Sequence, residues 1–280
     1  MRQLLPILCI AILFSNPNAR LMAQSYSAMS YNIRYDNPSD GENNWHKRKA
    51  DLVSQVKFYA PDILGTQEAL SHMVEYLDEA LVDYDFVGIG REDGKTRGEY
   101  AALFYRKEKF EVQNQGTFWL SQTPSEPSKG WDANLERICT YAELAVRGSN
   151  RKIWTFNTHF DHRGKLARAE SGKLIVEKIK ELAGETSPVI LTGDFNAVPG
   201  SEPIEPLTAY LQDARLCQDC VVFGQEGTSN GFDVNRAGDR RIDYIFTRDV
   251  RVAKYAVFSE LLNGRYLSDH HPVFIEFTWD

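Results

Sequence analysis

The segment Val189-Ile190-Leu191-Thr192-Gly193-Asp194-Phe195-Asn196 joins a short apolar run directly to a polar pair. The apolar and β-branched residues at 189–192 predict a strand buried on both faces. Residues 166–182, just before it, carry apolar side chains at helical spacing and predict an amphipathic helix. A helix that leads into a buried strand is typical of α/β proteins, so Asp194 and Asn196 lie where such proteins build their active sites.

The remaining sequence contains more strands than helices. Two further helices are predicted at residues 46–59, where Pro61 ends the helix, and at 70–80. Apolar or alternating runs predict further strands at 25–34, 62–67, 84–87, 101–105, 110–120, 140–146, 153–158, 242–246, 250–258 and 272–277. Because no repeat or long linker interrupts this pattern, we predict one α/β domain with mixed sheets and helices outside.

The first 23 residues have the pattern of a secretory signal peptide. Met1-Arg2 gives a positive start, residues 4–14 an apolar run, and Ala23 a small residue at the cleavage point. The apolar run is too short to span a bilayer, and no later stretch is long and apolar enough to do so. We therefore expect a secreted or periplasmic protein of residues 24–280, without stable membrane insertion.

Three cysteines remain after residue 23, and two of them are close together. Cys217 and Cys220 could form a disulfide in an oxidising compartment, or could be loop cysteines without a chemical role. A structural zinc is not expected, because no second pair of cysteines or histidines stands at ligand spacing.

Polar residues with catalytic potential recur where the predicted strands end. They are Asn32, Glu68, Glu99, His159, Asp161, Asp194, Asn196, Asp243, Asp269 and His270. Carboxylate and amide oxygens without cysteine ligands favour a hard cation, Mg²⁺ or Mn²⁺, over zinc. Histidines beside carboxylates favour proton transfer or stabilisation of developing charge. Together these residue types suit metal-assisted hydrolysis of a phosphate ester.

Seven short motifs that contain these residues occur in a characteristic order. They are Met29-Ser30-Tyr31-Asn32-Ile33-Arg34, Thr66-Gln67-Glu68, Gly98-Glu99-Tyr100, Asn157-Thr158-His159-Phe160-Asp161-His162, Gly193-Asp194-Phe195-Asn196, Arg241-Ile242-Asp243-Tyr244 and Ser268-Asp269-His270. Their order resembles that of the endonuclease/exonuclease/phosphatase superfamily, and the resemblance runs from about Asn32 to His270. It implies a four-layer α/β/β/α sandwich over residues 24–280, in which two mixed sheets pack face to face with helices outside.

The resemblance also implies roles for the candidate residues. Glu68 with nearby Asn32 corresponds to the principal metal site, and Asp269 is expected close to it. Asp194 and Asn196 correspond to the pair that positions or deprotonates the attacking water. His270 is expected to contact phosphate.

Two carboxylate–histidine pairs complete the implied site. Asp243 is expected to orient His270, and Glu99 is expected to pair with His159. Each carboxylate is expected to raise the pKa of its imidazole. Which group acts as the general base stays open.

The sequence says less about the substrate. Residues 116–138 are rich in aromatic and turn residues, and Trp131, Asp161 and Arg163 are the candidate substrate contacts.

Residues 24–280 carry 30 Lys and Arg against 39 Asp and Glu, a net charge of −9, whereas binding of long duplex DNA usually requires a basic surface. The basic run at 46–49 is expected to be a solvated helix face. We therefore expect a monomer that acts on a small or terminal phosphate ester rather than on long duplex DNA.

Two alternatives share the same scaffold, namely a secreted nuclease that acts on DNA or RNA, and a binding protein that has lost catalysis. The second is disfavoured because every motif position holds the expected residue type. An unrelated hydrolase with a serine nucleophile is also disfavoured, because no Gly-x-Ser-x-Gly stretch is present. Removal of metal by a chelator separates a metal-dependent enzyme from these last two classes.

Overall fold

Thirteen strands and four α-helices make up the regular structure of the described part of the chain, which comprises residues 24–236, 238 and 240–280 of a computed structural model. The predicted signal peptide, residues 1–23, lies outside the described residues. The strands are β1 (Tyr26–Asn32), β2 (Ile63–Ala69), β3 (Tyr84–Val87), β4 (Tyr100–Arg106), β5 (Phe110–Trp119), β6 (Ile138–Val146), β7 (Lys152–His159), β8 (Val189–Asp194), β9 (Gln212–Asp213), β10 (Val221–Phe223), β11 (Asp243–Arg248), β12 (Arg251–Val257) and β13 (Val273–Thr278). The helices are α1 (Trp45–Tyr59), α2 (Ser71–Ala80), α3 (Lys165–Ala183) and α4 (Glu205–Tyr210).

The strands form two mixed sheets. The first has the order β10-β12-β13-β1-β2-β4-β3, and the second has the order β5-β6-β7-β8-β11-β9. At the centre of each sheet two strands run parallel, β1 with β2 and β7 with β8. Their flanking neighbours are antiparallel: β13 and β4 in the first sheet, β6 and β11 in the second.

The two sheets pack face to face, and helices cover both outer faces. Apolar side chains from both sheets, such as Ile63 and Ile190, form the central core. Helices α1 and α2 bury residues such as Leu52 against the first sheet, and α3 buries Ile175 against the second. Full burial of each such side chain stabilises the fold by about 1.5–3 kcal/mol. The four-layer sandwich implied by the resemblance is confirmed.

Sequence periodicity located every long element to within two residues of its ends. It missed β9, β10 and α4, which have two, three and six residues. Elements of this length contain fewer than two full repeats of an amphipathic pattern, which is too few to recognise the period, so only their neighbours in the fold define them.

The sheets approach each other closely beneath the strand ends. A Cβ atom on Gly65 of β2 would lie 2.7 Å from Oδ1 of Asn157 of β7, so only glycine allows this approach. Nδ2 of Asn157 donates to the carbonyls of Thr66 (2.8 Å) and Ala102 (2.9 Å). One buried amide therefore ties the second sheet to the first just below the carboxyl ends of the parallel strands.

The expectation of a solvated face at residues 46–49 is wrong for Arg48, whose side chain is fully buried. Its guanidinium donates to four backbone carbonyls, those of Ile33, Arg34, Asn43 and Leu267. Buried carbonyls outside regular structure need a donor, and a long cationic side chain supplies several at once. Arg48 thereby joins the segment after β1 to the segment before β13.

Cys217 and Cys220 form a disulfide, and Cys139 is a free, buried thiol. Of the two alternatives open from the sequence, the disulfide is therefore the one present. Among the described helices, none combines the length and the apolar character needed to cross a membrane.

Candidate active site

A cavity of about 380 Å³ lies at the edge where the parallel strands of both sheets end. The antiparallel strands β4, β6, β11 and β13 begin near the same edge, so residues beside eight strand ends meet there. The cavity is lined mainly by acidic, basic and imidazole side chains, with Tyr35, Leu135 and Asn196 between them. The acidic, basic and imidazole residues are Arg34, Glu68, Glu99, Arg137, His159, His162, Asp194, Asp269 and His270.

Most of the candidate residues predicted from the sequence meet at this cavity. Seven line it, namely Glu68, Glu99, His159, Asp194, Asn196, Asp269 and His270. Asn32 and Asp243 lie buried directly behind them and hydrogen-bond to lining residues. Asp161 is buried behind Arg137.

None of the three predicted substrate contacts reaches the cavity wall, since Asp161 is buried behind Arg137 and the other two lie elsewhere. Arg163 is exposed, and its backbone N–H donates to Oδ1 of Asp161. Trp131 is half-buried in the loop before β6, where its backbone N–H donates to Gln122.

Sequence reasoning also missed five lining residues: Arg34, Tyr35, Leu135, Arg137 and His162. Arg34 and His162 stand inside two of the recognised motifs, which was a usable signal. Arg137 is a single arginine before a strand, and no local pattern distinguishes it.

Glu68 lies where β2 departs from regular pairing. Its φ of 66° is in the left-handed region, and the register with β4 shifts between Thr66 and Ala69. Its Oε1 accepts a hydrogen bond from Nδ2 of Asn32 (3.0 Å), and Oε2 accepts one from the backbone N–H of Tyr35 (3.1 Å). The irregular strand end and these two bonds hold the carboxylate at the cavity.

Asp194 is buried at the end of β8. Its Oδ1 accepts from the backbone N–H of Asn196 (2.9 Å), and Oδ2 accepts from Nδ2 of Asn32 (3.0 Å). Asp243 stands opposite Asp194 in the register of β8 with β11. Burial, followed by the negative charge of Asp243, raises the pKa of Asp194.

His159 lies between Asn196 and Glu99. Nδ2 of Asn196 donates to Nε2 of His159 (3.1 Å), so the neutral ring carries its proton on Nδ1, which lies 3.6 Å from Oε2 of Glu99. The expectation that Glu99 raises the pKa of His159 is wrong: burial, followed by the charge of Arg137, lowers this pKa to about 3. The guanidinium of Arg91 binds both oxygens of Glu99, at 2.6 and 2.9 Å, and so offsets the carboxylate charge.

The imidazole of His270 is protonated, whereas that of His159 is neutral. Its Nδ1 donates to Oδ2 of buried Asp243 at 2.8 Å, the pairing expected from the sequence. Burial by itself would lower the pKa of His270, but the charges of Asp243 and Asp194 outweigh it and raise the pKa well above its ordinary value. The cavity is therefore lined by the cationic imidazole of His270 and the neutral imidazole of His159.

Asp269 lies beside Arg34, whose Nη1 is 3.4 Å from Oδ2 of Asp269. Burial raises the pKa of Asp269, the charge of His270 lowers it, and Glu68 raises it again, so that the net shift is upward. Two carboxylates, Glu68 and Asp269, thus repel each other across the cavity.

The acidic residues fit a hard divalent cation. One ligand atom each from Glu68, His159 and Asp194 lies within 4.8 Å of the others. Within the described ranges, no lysine or arginine nitrogen lies within salt-bridge distance of Glu68, so its charge has no direct protein counterion. A carboxylate-rich donor set without thiolates is the type that Mg²⁺ and Mn²⁺ prefer.

Arg137 forms the wall next to Glu99 and His159. Its Nε donates to Oδ2 of Asp161 (3.3 Å), and its Nη2 donates to Nδ1 of His162 (3.0 Å). Asp161 also accepts hydrogen bonds from four backbone N–H groups, those of Asn134, Leu135, Arg163 and Gly164. Asp161 therefore fixes Arg137 and the adjoining loops from the side away from the cavity, and it does not face the cavity itself.

Comparison with known proteins gives consistent matches over nearly the whole described chain. Residues 29–270 match the model of the endonuclease/exonuclease/phosphatase family. The crystal structure of a protein of that family from Bacteroides thetaiotaomicron is 39% identical, with a TM-score of 0.87 over 92% of this chain and 99% of that one.

Two further relatives extend this comparison. The mannosyl-6-phosphatase Bt3783 of Bacteroides thetaiotaomicron is 38% identical, with a TM-score of 0.84 over 91% of this chain and 100% of that one. The uncharacterized protein L388 of Acanthamoeba polyphaga mimivirus is 31% identical over 249 residues, which is 83% of this chain and 92% of its own length.

Proposed function

The chain belongs to the endonuclease/exonuclease/phosphatase family, and from this we propose that it is a divalent-metal-dependent phosphoesterase that hydrolyses a monoester of a small molecule such as a sugar. The observation that carries the proposal is the arrangement around Asp194, a buried carboxylate flanked by neutral His159 at 3.5 Å and cationic His270 at 3.9 Å. This combination supplies a proton acceptor beside a fixed positive charge, as hydrolysis of a phosphate ester requires.

Glu68 and Asp269 would hold the cation, Mg²⁺ or Mn²⁺, and Asn32 would fix the carboxylate of Glu68 through its amide nitrogen. When bound, the cation neutralises negative charge on the phosphoryl oxygens.

Asp194 would accept the proton of the attacking water. Its raised pKa makes it a stronger base than an ordinary aspartate, whereas the lowered pKa of His159 makes that imidazole a weaker one. Asn196 fixes Asp194 through its backbone N–H and fixes His159 through its side chain. We therefore assign the base role to Asp194 and a positioning role to Asn196.

His270 would contact the phosphoryl group as a cation. Asp243 keeps its ring oriented and protonated through the bond to Nδ1, which leaves Nε2–H free to donate. A donor at this place would stabilise the negative charge that develops in the transition state. Glu99 would hold His159 on the opposite wall.

Three observations support a small substrate. The cavity of about 380 Å³ suits a compact ligand. A relative 38% identical is a mannosyl-6-phosphatase. The net charge of −9 for residues 24–280 disfavours a long polyanion as the substrate.

We further propose that the protein acts outside the cytoplasm, on the basis of the signal-peptide pattern and the Cys217–Cys220 disulfide.

The direct test is a panel of hexose 6-phosphates and p-nitrophenyl phosphate, assayed with Mg²⁺ or Mn²⁺, after exhaustive EDTA treatment, and after the metal is restored. We expect EDTA to abolish turnover and the metal to restore it. Asp194→Asn should lower kcat about 10²- to 10⁴-fold with little change in KM, because it removes the base and not a ground-state contact. Full turnover in EDTA, or a nearly wild-type Asp194→Asn variant, would contradict the proposal.

A further inference from the structure

The guanidinium of Arg137 has an unused donor at the cavity wall. The Arg137 side chain is 4% exposed, and its Nη1 is buried without a hydrogen-bond partner among the described residues. A buried donor left without an acceptor costs about 1–3 kcal/mol, so such a group at a cavity points to an acceptor on a ligand. By contrast, Arg34, which also lines the cavity, binds the carboxylate of Asp40 with two nitrogens.

Apart from Glu99, whose two oxygens bind Arg91, the described groups around Arg137 offer donors rather than free acceptors. Oδ1 and Oδ2 of Asp161 are occupied by backbone N–H groups and by Arg137 itself. His162 Nδ1 accepts from Nη2 of Arg137, so the neutral ring carries its proton on Nε2 and presents a second donor. A sugar hydroxyl would find no free oxygen on Asp161 for its own proton, whereas an anionic oxygen would be matched by both donors and by the positive charge.

We propose that Arg137 and His162 form a subsite for a non-bridging oxygen of a terminal phosphate and thereby select phosphate monoesters over diesters. The proposal rests on the proposed function, because it identifies the substrate class of that same cavity. A monoester carries one more anionic oxygen than a diester, in which a second ester group occupies that oxygen. Arg137 shares this cavity with Asp194, His159 and His270, so one phosphoryl group can meet the subsite and the catalytic groups together.

Binding can be measured without turnover. Methyl phosphate is a dianion at about pH 8, and dimethyl phosphate is a monoanion of similar shape. Isothermal titration of the Mg²⁺-loaded full chain, with Asp194→Asn present in every variant to prevent hydrolysis, should show tighter binding of methyl phosphate. Arg137→Gln should weaken binding of methyl phosphate by about 10- to 100-fold, the range expected for a charged hydrogen bond. The affinity for dimethyl phosphate should stay nearly unchanged.

Two further variants separate the subsite from a loss of folding. His162 is exposed on the solvent side, so His162→Phe should fold normally and lose affinity for methyl phosphate in the same direction but by less. Lys165→Gln removes a positive charge from an exposed side chain nearby that does not line the cavity, and it should leave both affinities unchanged. Equal losses for both ligands in Arg137→Gln, together with unchanged binding in His162→Phe, would overturn the subsite.

Turnover distinguishes this failure from failure of the proposed function. If the wild type hydrolyses p-nitrophenyl phosphate and Arg137→Gln lowers kcat/KM for it no more than for p-nitrophenyl methyl phosphate, the phosphoesterase stands and the subsite falls. If the wild type hydrolyses no ester with Mg²⁺ or Mn²⁺, the proposed function falls, and the titrations with methyl phosphate still decide the subsite.

Discussion

Asp161 shows how a single buried carboxylate can shape a cavity that it never touches. It accepts hydrogen bonds from the loop before β6 and from the turn before α3, and it holds Nε of Arg137. Burial raises the pKa of Asp161, but the N–H groups of Gly164 and Arg163 and the charge of Arg137 outweigh burial, so this pKa is lowered. The residue is thus ionised in the fold and linked to stability.

We expect Asp161→Asn to lower the free energy of unfolding by about 3 kcal/mol at neutral pH, the cost of breaking a buried ion pair. Because the folded pKa of Asp161 lies below its unfolded value of about 3.9, its stabilisation is present above that value and is lost as the pH falls through the folded pKa. Urea unfolding of both proteins between about pH 3 and pH 7 should show the difference narrowing at the acid end.

Asp132→Asn is the matched control for this prediction. Asp132 also accepts backbone N–H groups at the start of α3, from Leu166 and Ala167, but it is exposed. We expect a clearly smaller loss of stability from it. A pH-independent loss in Asp161→Asn equal to that of the control would contradict the ion-pair account.

At the scale of elements, helix α1 does more than cover the first sheet. It inserts Arg48 between the segment that follows β1 and the segment that precedes β13, and those segments carry Arg34 and Asp269. The helix therefore links two separate stretches of the cavity wall through one side chain.

We expect Arg48→Met to lower the free energy of unfolding by about 3 kcal/mol, because several buried carbonyls lose their donor. It should also lower kcat/KM, because the two cavity segments that carry Arg34 and Asp269 lose the side chain that joins them. Lys47→Met, which removes a neighbouring exposed charge, should change neither quantity. Chemical unfolding and steady-state kinetics on the two variants would check this, and an Arg48→Met protein as stable and active as the wild type would refute it.

At the scale of the whole molecule, the site exists because two sheets present their strand ends at one edge. Gly65 and Asn157 allow and fix the close approach of the sheets below that edge. Each sheet contributes part of the catalytic set: the first provides Glu68, and the second provides His159 and Asp194.

The charge of the whole molecule predicts its discrimination among substrates. We expect kcat/KM for a small phosphate monoester to exceed that for supercoiled duplex DNA, because the net charge of −9 for residues 24–280 opposes the approach of a polyanion. All substrates should be compared at one salt concentration, with a short single-stranded oligonucleotide as a control for base contacts. Duplex DNA as the best substrate, with cleavage that falls steeply with added salt, would instead identify a nuclease.

The sequence by itself determined the long elements, their order and most of the candidate residues. Periodicity is a local property, and Glu68, Asp194 and His270 follow or precede strands in short recognisable motifs. Strand ends of parallel pairs must meet at one sheet edge, which is why those residues converge.

Only the tertiary structure decided which charges are buried and which partners they have. Arg48 and Arg137 look like ordinary solvated arginines in the sequence, yet each is buried by segments far away in the chain. The pKa of His159 is lowered rather than raised because the ring is buried and because Arg137 lies close by, while Arg91 binds Glu99. Burial and Coulomb interactions depend on distances in space, and no local pattern of residues encodes them.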